Sequence, residues 1–534
     1  MNNFVLPLAR LCAGFGLLMA SAAQAQLANN LTIGNPKAMA LANAVTADST
    51  GIDAVHYNPA ALTKLKGRQT TVKFLTGVMD IRAEFDAPPD YGAFGFSDDD
   101  VKNSSSRTLT PAMYLPGLGG ATEVPMLFAP LAGLSINPPG SKLTFATNVY
   151  APMALGYSRD DDSDPARYQG REVALQRITY FSPSLGYQMN DQLALGLSIG
   201  FSHQAMALNQ DFRNPSMLTG LIRLLQDTTC QGGDSLTAPL INLCGGDFGP
   251  FTNLANLDLD LQQSLSPTFN LGVQWEPTDW FAWGATYQSE ARMKLTGTYR
   301  VDYGANWTGF WSALRDPGSS IFGNLGSLLF VLPEGGVDEE IGNASLTLTY
   351  PDSFATGIKV RPFERWQINA DVRWVDYSDW DQFEIKFDRE LDMLRIAQMF
   401  SPKYATSSSL ILDRGYEDTI SWALGVQYDL NERVQLRAGY EWRPSAIPKD
   451  KADVLAPIGD AHLYGLGVGY RWDKDTQIDL GFNYFVTKTS VPADTSCNLN
   501  CTGIDNVVYN PYAGLDVETS VHAYVMALTY QTVF

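Results

Sequence analysis

The sequence predicts an all-β fold: a 14-stranded antiparallel transmembrane β-barrel plugged by an N-terminal hatch. Three observations predict it. From about residue 68 onward, apolar residues alternate with small or polar ones in segment after segment. That is strand periodicity, because successive side chains point to opposite faces. Short polar turns alternate with long irregular stretches, the pattern of a barrel with tight turns on one side of a membrane and large loops on the other. The composition agrees: of 534 residues only 18% are charged, 11% are aromatic and 46 are glycine. Mean hydropathy is −0.11, and beyond the N-terminus nothing approaches the roughly 20 apolar residues that a membrane helix needs.

Residues 1–25 read as a signal peptide. Arg10 precedes an apolar run from Leu11 to Ala23, and Ala23-Gln24-Ala25 supplies the small-x-small cleavage pattern. Residues 26–67 do not alternate. Pro36 to Ala47 reads as a short Ala-rich helix, and a segment this small cannot fold alone. Inward glycines such as Gly196, Gly200, Gly425 and Gly465 leave room for it, so it is assigned as the hatch.

Residues 68–534 form the barrel with its long extracellular loops. Trp366, Ile368, Ala370, Val372 and Trp374 share one strand face; Val434, Leu436, Ala438, Tyr440 and Trp442 share another. Aromatics at both ends of the apolar faces, with glycine and polar residues opposite, indicate lipid outside and a polar lumen. Tight turns fall at 137–140, 189–191, 276–279, 361–364, 429–432 and 472–475. Long loops fall near 87–122, 158–170, 213–262, 302–343, 384–416, 447–459 and 490–514. Six turns and seven loops make fourteen strands, of which the second is rich in Pro and Gly. The last strand alternates from His522 to Phe534, resembling the signal read by the outer-membrane barrel assembly machinery.

A net charge of −20 excludes nucleic acid, which needs a basic footprint. Four cysteines of the exported chain suggest local disulfides, Cys230–Cys244 and Cys497–Cys501. No histidine lies near either pair, so neither a metal nor a cofactor is expected. Gly196-Leu197-Ser198-Ile199-Gly200 matches a serine-hydrolase pattern, but catalysis needs a strained strand-to-helix turn and here the motif lies inside a strand. An acyl hydrolase is therefore the competing class, and no enzymatic activity is expected. Acid runs at 98–100 and 160–162 are expected to be solvated in outer loops.

Gly34, Ala38, Ala44, Ala47 and Asp48, followed by Asn58-Pro59-Ala60, resemble the hatch of FadL-type outer-membrane transporters of long-chain fatty acids and other hydrophobic compounds. Gln274 to Tyr299, Tyr350 to Phe383 and Arg437 to Tyr484 are also similar to that family. The resemblance implies a monomeric, multi-pass protein of the cell outer membrane, in contact with lipid and lipopolysaccharide. It implies passive, hatch-gated uptake of long-chain fatty acids, with alkanes or monoaromatic hydrocarbons as the alternative cargo.

Two loops are suited to capture a hydrophobic ligand. One carries Leu218, Leu221, Ile222 and Leu225 at helical spacing; the other carries Phe310, Trp311, Phe322 and Leu325. Arg373 and Arg437 fall on lumen faces and are candidates for meeting a ligand head group, against the alternative that they pair with lumen acids such as Asp371 and Asp479. Pro152 cannot donate to a ladder, so the third strand is expected to break there. The resemblance implies an inward kink in that strand that opens the wall. A lateral exit is expected beside Asn148, Tyr150, Pro152 and Gly156, with Asn58-Pro59-Ala60 nearby.

Overall fold

A computed structural model describes residues 30–49, 51–89, 91, 96–115, 117–124, 126–159, 161–230, 242–316, 337–502 and 510–534. The expected signal peptide, and Phe322 and Leu325 of the second capture loop, lie outside the described residues.

Fourteen antiparallel strands close into one barrel. Strand 1 (Gly67–Asp86), strand 5 (Leu193–Phe212) and strand 6 (Ala255–Thr278) run unbroken. Strand 2 is Ser104–Thr108 with Leu127–Asn137, strand 3 is Leu143–Asn148 with Tyr150–Ser158, and strand 4 is Glu172–Phe181 with Ser184–Gln188. Strand 7 is Phe281–Gln288 with Ala291–Tyr303, strand 8 is Glu339–Tyr350 with Ser353–Phe363, and strand 9 is Trp366–Val375 with Gln382–Phe387. Strands 10 to 14 are Thr419–Asp429, Val434–Arg443, Ala461–Arg471, Thr476–Val491 and Asp516–Val533. Strand 14 returns to strand 1 in a continuous register from Gln69↔Val533 to Asp86↔Asp516. Closure pairs the edge groups that hydrocarbon cannot solvate.

The outer face carries an apolar belt. Leu424, Leu466, Leu480 and Leu528 are exposed at its middle, and Trp275, Trp366 and Trp472 at the short-turn end. At the other end Tyr440, Tyr464, Tyr484 and Tyr524 form a ladder of rings with centroids 5.4, 6.1 and 5.1 Å apart. Two aromatic rims around an aliphatic band are the outline of a bilayer.

Inside lie residues 30–49 and 51–65, nearly all buried. The helix expected from Pro36 spans only Pro36–Ala40, capped by Asn35, whose side chain accepts from Ala38 N at 2.8 Å, and short helices follow at Ala54–Tyr57 and Pro59–Lys64. The expected extension to Ala47 does not form, because Ala42 and Asn43 turn to φ 48° and 65°. The hatch backbone lies directly on glycines of the wall. A Cβ on Gly196 would enter the backbone of Pro59 and Ala60; on Gly284, that of Thr46; on Gly465, that of Met39 and Ala40; on Gly481, that of Pro36. Charge seals the contact. Lys73 of strand 1 meets Asp53 at 2.5 Å and Asp371 of strand 9 accepts Val45 N and Thr46 N at 2.9 and 2.7 Å, while Lys37 and Asp48 pair within the hatch at 2.5 Å.

Strand 2 departs from expectation. It begins at Ser104, well inside the stretch read as loop 87–122, and its two halves pair separately with strand 1. Between them Thr110–Tyr114 and Ala121–Glu123 form a hairpin. Tyr114 of this hairpin is buried against Ala174, Ala205 and Ala207, which alternate with the lumen residues Val173, Met206 and Leu208. The hairpin therefore lies on the outside of the barrel, over strands 3 to 5. Gln176 donates to Tyr114 O at 2.6 Å, and Gly120 N donates to Asp260 at 2.9 Å.

Candidate functional site

Above strands 5 to 9 the outer loops enclose an apolar groove of about 450 Å³. Helix Met217–Thr229 contributes Leu218, Leu221, Ile222 and Leu225, and helix Ala305–Arg315 contributes Trp307, Phe310, Trp311 and Leu314. The two expected capture segments therefore meet. Sequence reading missed a third wall, helix Asp392–Phe400, which supplies Met393, Ile396 and Met399. Its signal was an apolar i, i+3 pattern hidden in a loop read as irregular. Phe248 stacks on Phe310 with centroids 4.4 Å apart, forming the floor. A Cys230–Cys244 disulfide follows the first helix, and Cys497–Cys501 bridges the last loop.

The other outer loops form a polar canopy. Arg213, fully buried, meets Asp99 at 2.6 Å and donates to Pro511 O at 2.6 Å. Arg167 meets Asp211 at 3.2 Å, and Arg414 pairs with Asp453. Val454 N donates to Gln169 at 2.9 Å, and Tyr512 donates to Pro165 O at 3.0 Å. The acid run 98–100 is thus not simply solvated: Asp99 is buried, and Asp98 and Asp100 meet Arg223 and Arg213. Opposed arginines on neighbouring loops recruit the aspartates, a pairing that separation in sequence conceals.

Inside the lumen, Arg177 of strand 4 stands directly across from Gln204 of strand 5. Both are buried, at 3% and 1% exposure. Arg177 donates to Thr268 at 2.9 Å and lies 4.5 Å from the centre of the Tyr350 ring. Among the described residues no carboxylate comes within ion-pair distance of it, and its Nε and both amide atoms of Gln204 have no hydrogen-bond partner. Burying such groups without partners costs several kcal/mol. The neighbouring Tyr150 ring is 5.0 Å from His56 of the hatch, so this pair sits above the plug.

The two arginines expected at a head group separate. Arg373 lies against the Asn30 side chain at the start of the hatch. Arg437 is a correction: its nitrogens are taken by Asp479 at 2.6 Å, Gln427 at 2.9 Å and Gln435 at 2.6 Å, and its side chain is buried. It braces the wall.

Strand 3 breaks at Val149. Its first half pairs with strand 2 through Asn148↔Gly133. In its second half, among the described residues, only Tyr157 and Ser158 find partners on that side, in Pro111 and Thr110. On the strand 4 side the register shifts between Tyr150 and Met153, around Pro152. The start of the hatch takes up the stranded carbonyls: Asn30 N donates to Pro152 O at 3.0 Å and Thr32 to Ala151 O at 2.8 Å. Asn148 donates to Asp53 at 2.6 Å. A cleft of about 70 Å³ lies at this break, between Leu31, Val78, Met113 and Leu155. Gly156 sits under Ala112 of the outer hairpin, where a Cβ would not fit.

Asn58-Pro59-Ala60 is placed elsewhere. Asn58 donates to Val273 O at 3.0 Å, and the motif rests on Gly196 and Gly272 of strands 5 and 6. The hatch residues that meet the kink are Asn30, Thr32, Asp53 and His56. The serine of the hydrolase-like motif, Ser198, is fully buried within strand 5 and accepts from Ser184 at 2.8 Å.

Comparison with known proteins adds to this geometry. The family model described as outer membrane protein transport protein (OMPP1/FadL/TodX) matches residues 16–534. The long-chain fatty acid transport protein of Escherichia coli O6:H1 is 24% identical over 396 residues, 74% of either chain. A Pseudomonas aeruginosa FadL homologue superposes with a TM-score of 0.66 at 18% identity, covering 96% of this chain and 100% of that one. The Pseudomonas putida toluene transporter TodX superposes at 0.57 and 15% identity, covering 94% and 99%.

Proposed function

The chain belongs to the outer membrane protein transport family of OMPP1, FadL and TodX, and from that premise we propose that its cargo is a long-chain fatty acid. The protein is a multi-pass outer-membrane transporter of hydrophobic compounds; the family is one of transporters and channels.

The observation that carries the choice of cargo is the pair Arg177 and Gln204. A buried guanidinium without a carboxylate, beside an amide whose NH2 group has no acceptor, lacks an anionic acceptor that both can donate to. A carboxylate head fits, whereas a neutral hydrocarbon would leave the charge unpaired. The acyl chain gains by leaving water for the groove of Leu221, Phe310 and Met393. It then passes to the lumen with its head against Arg177 and Gln204.

Exit follows the wall rather than the plug. The hatch backbone is pressed onto glycines over much of the circumference, whereas strand 3 between Tyr150 and Gly156 has lost its ladder to strand 2. Among the described residues, the hydrogen bonds that bridge that stretch from inside are those of Asn30 and Thr32. Release of these two contacts widens the cleft beside Val78 and Met113, and the ligand enters the membrane without crossing water.

The second reading, hydrocarbon uptake, is favoured by the likeness in fold to the toluene transporter. A binding assay separates the two. The full-length protein should bind a C16 fatty acid (hexadecanoate) more tightly than the equally long alkane, and Arg177→Gln should lower acid affinity by about tenfold or more, one charge-assisted hydrogen bond. Equal affinity for acid and alkane, unchanged in the variant, would sink the fatty-acid assignment.

A further inference from the structure

Above the tyrosine rim on strands 13, 14, 1 and 2, the outer face of the barrel changes character abruptly. On strand 1 the outward residues run Val72, Phe74, Thr76 and Val78, apolar but for Thr76, and then Asp80, Arg82 and Glu84. On strand 14, Leu528, Met526 and Tyr524 give way to His522, Ser520 and Glu518. The polar level begins where outer-leaflet head groups begin.

At that level Arg107 of strand 2, Arg82 of strand 1, Ser520 of strand 14 and Lys488 of strand 13 are direct cross-strand neighbours. Adjacent strands are about 4.8 Å apart, so the row spans on the order of 14 Å. Both arginines converge on one carboxylate. Arg82 reaches Asp80 at 2.6 and 3.2 Å and Arg107 reaches it at 3.0 Å through two nitrogens. Asp80 is buried beneath them, while the guanidinium side chains remain about half exposed, at 48% and 55%. One buried acid holds two like charges side by side, which otherwise repel. Glu84 faces outward beside Arg82 but, among the described residues, enters no ion pair, so within ion-pair distance the two guanidiniums share one acid. Lys488 is drawn to Glu518 at 2.7 Å.

We propose that Arg82 and Arg107, with Asp80 as their brace, form a binding site for a phosphate monoester of an outer-leaflet glycolipid. Guanidinium pairs match phosphate oxygens in bidentate fashion. The location commits the phosphate to a lipid, because the site stands one row above Val78 and its acyl chains would lie along the exposed Val78, Phe74 and Val72. His522 faces Asp80 across the strand pair and its Nδ1 is bonded to Tyr484 at 2.8 Å, which closes the lower edge of the site. The expected acid runs play no part in this, since Asp98 and Asp99 are held by arginines of the canopy. The site depends on membrane position alone, so it stands or falls separately from the lumen cargo.

The test is lipid retention by the full-length protein in detergent, read by native mass spectrometry. Four probes are added back: a bis-phosphorylated lipid A, its dephosphorylated form, phosphatidylglycerol and inorganic phosphate. The unaltered protein should favour the phosphorylated glycolipid over its dephosphorylated form by about tenfold, one charge-assisted contact. The double variant Arg82→Gln/Arg107→Gln should lose that preference. Because it strands a buried acid, a triple variant adding Asp80→Asn serves as the folding-safe version, with heat modifiability as the fold readout. Asp80→Asn alone keeps both cations but removes their brace, and should reduce the preference without abolishing it; an unchanged preference would overturn the brace. Equal retention of the two glycolipid forms, or of phosphatidylglycerol, would overturn the proposal, as would undiminished preference in the triple variant. Displacement of the glycolipid by equimolar inorganic phosphate would overturn the assignment to lipid.

Discussion

At the short-turn end of the barrel, closure is a matter of backbone against backbone: Pro59 on Gly196, Thr46 on Gly284, Pro36 on Gly481. At the outer end it is a matter of side-chain charge: Arg213 on Asp99, Arg167 on Asp211, Arg414 on Asp453. The hatch contacts have no spare volume, since the wall residue has no side chain to move aside. The canopy contacts consist of long side chains whose partners come from different loops. A seat of the first kind resists any enlargement, whereas one of the second kind resists loss of a partner. The entry groove belongs to neither, being lined by aliphatic and aromatic residues that can rearrange around a guest.

The sharpest break should come at the seat. In Gly196→Val the new side chain must displace hatch backbone, and the ordinary overpacking cost of about 1–3 kcal/mol becomes a lower bound. The expected outcome is an expelled hatch, read as large single-channel conductance; native conductance in a folded variant would refute a rigid seat. Next in size, Arg213→Met strands the buried Asp99 and should cost about 3–5 kcal/mol. Arg213→Met combined with Asp99→Leu should recover much of that, measured as unfolding midpoint in denaturant. If the double variant is no better than the single, the canopy is not held by charge pairing.

A smaller effect is expected where the groove meets the canopy. Opening Cys230–Cys244, which are 14 residues apart, frees loop entropy worth on the order of 3 kcal/mol in the unfolded segment. Ligand capture should weaken on reduction while the barrel stays heat-modifiable; unchanged capture would show that the helix Met217–Thr229 needs no tether. The least effect belongs to the exposed pair Asp98 and Arg223, 2.6 Å apart. The guanidinium holds the Asp98 carboxyl below its usual range. Its contribution is therefore complete above the unfolded carboxyl pKa of about 3.9 and lost as pH falls through the lower folded value. Solvent screening limits it to about 0.2–1 kcal/mol. Proteolysis of the outer loops between pH 7 and 5 should not change on this account, and a strong change there would assign the pair a larger role.

The number of strands, the short turns, the lipid-facing belt and the near-neighbour cysteine pairs were legible in the chain itself. Period-two alternation, turn residues and a separation of 4 residues between Cys497 and Cys501 are local properties. Helix Met217–Thr229 was legible for the same reason, its leucines lying at helical spacing. What only the closed barrel decided is which inward residues meet. Arg177 and Gln204 are 27 positions apart and face each other solely through the register of strands 4 and 5. Asp99 reaches Arg213, and Asn58 reaches Val273, across loops and strands whose approach no local pattern encodes. Arg437 shows the converse. Its alternation placed it correctly on the lumen wall, but its pairing with Asp479 depends on strands 11 and 13 lying either side of strand 12. Strand 2 was the hardest to read, because its prolines break the period that would have revealed it, while the cover they allow over Ala174, Ala205 and Ala207 exists only once strands 4 and 5 are side by side.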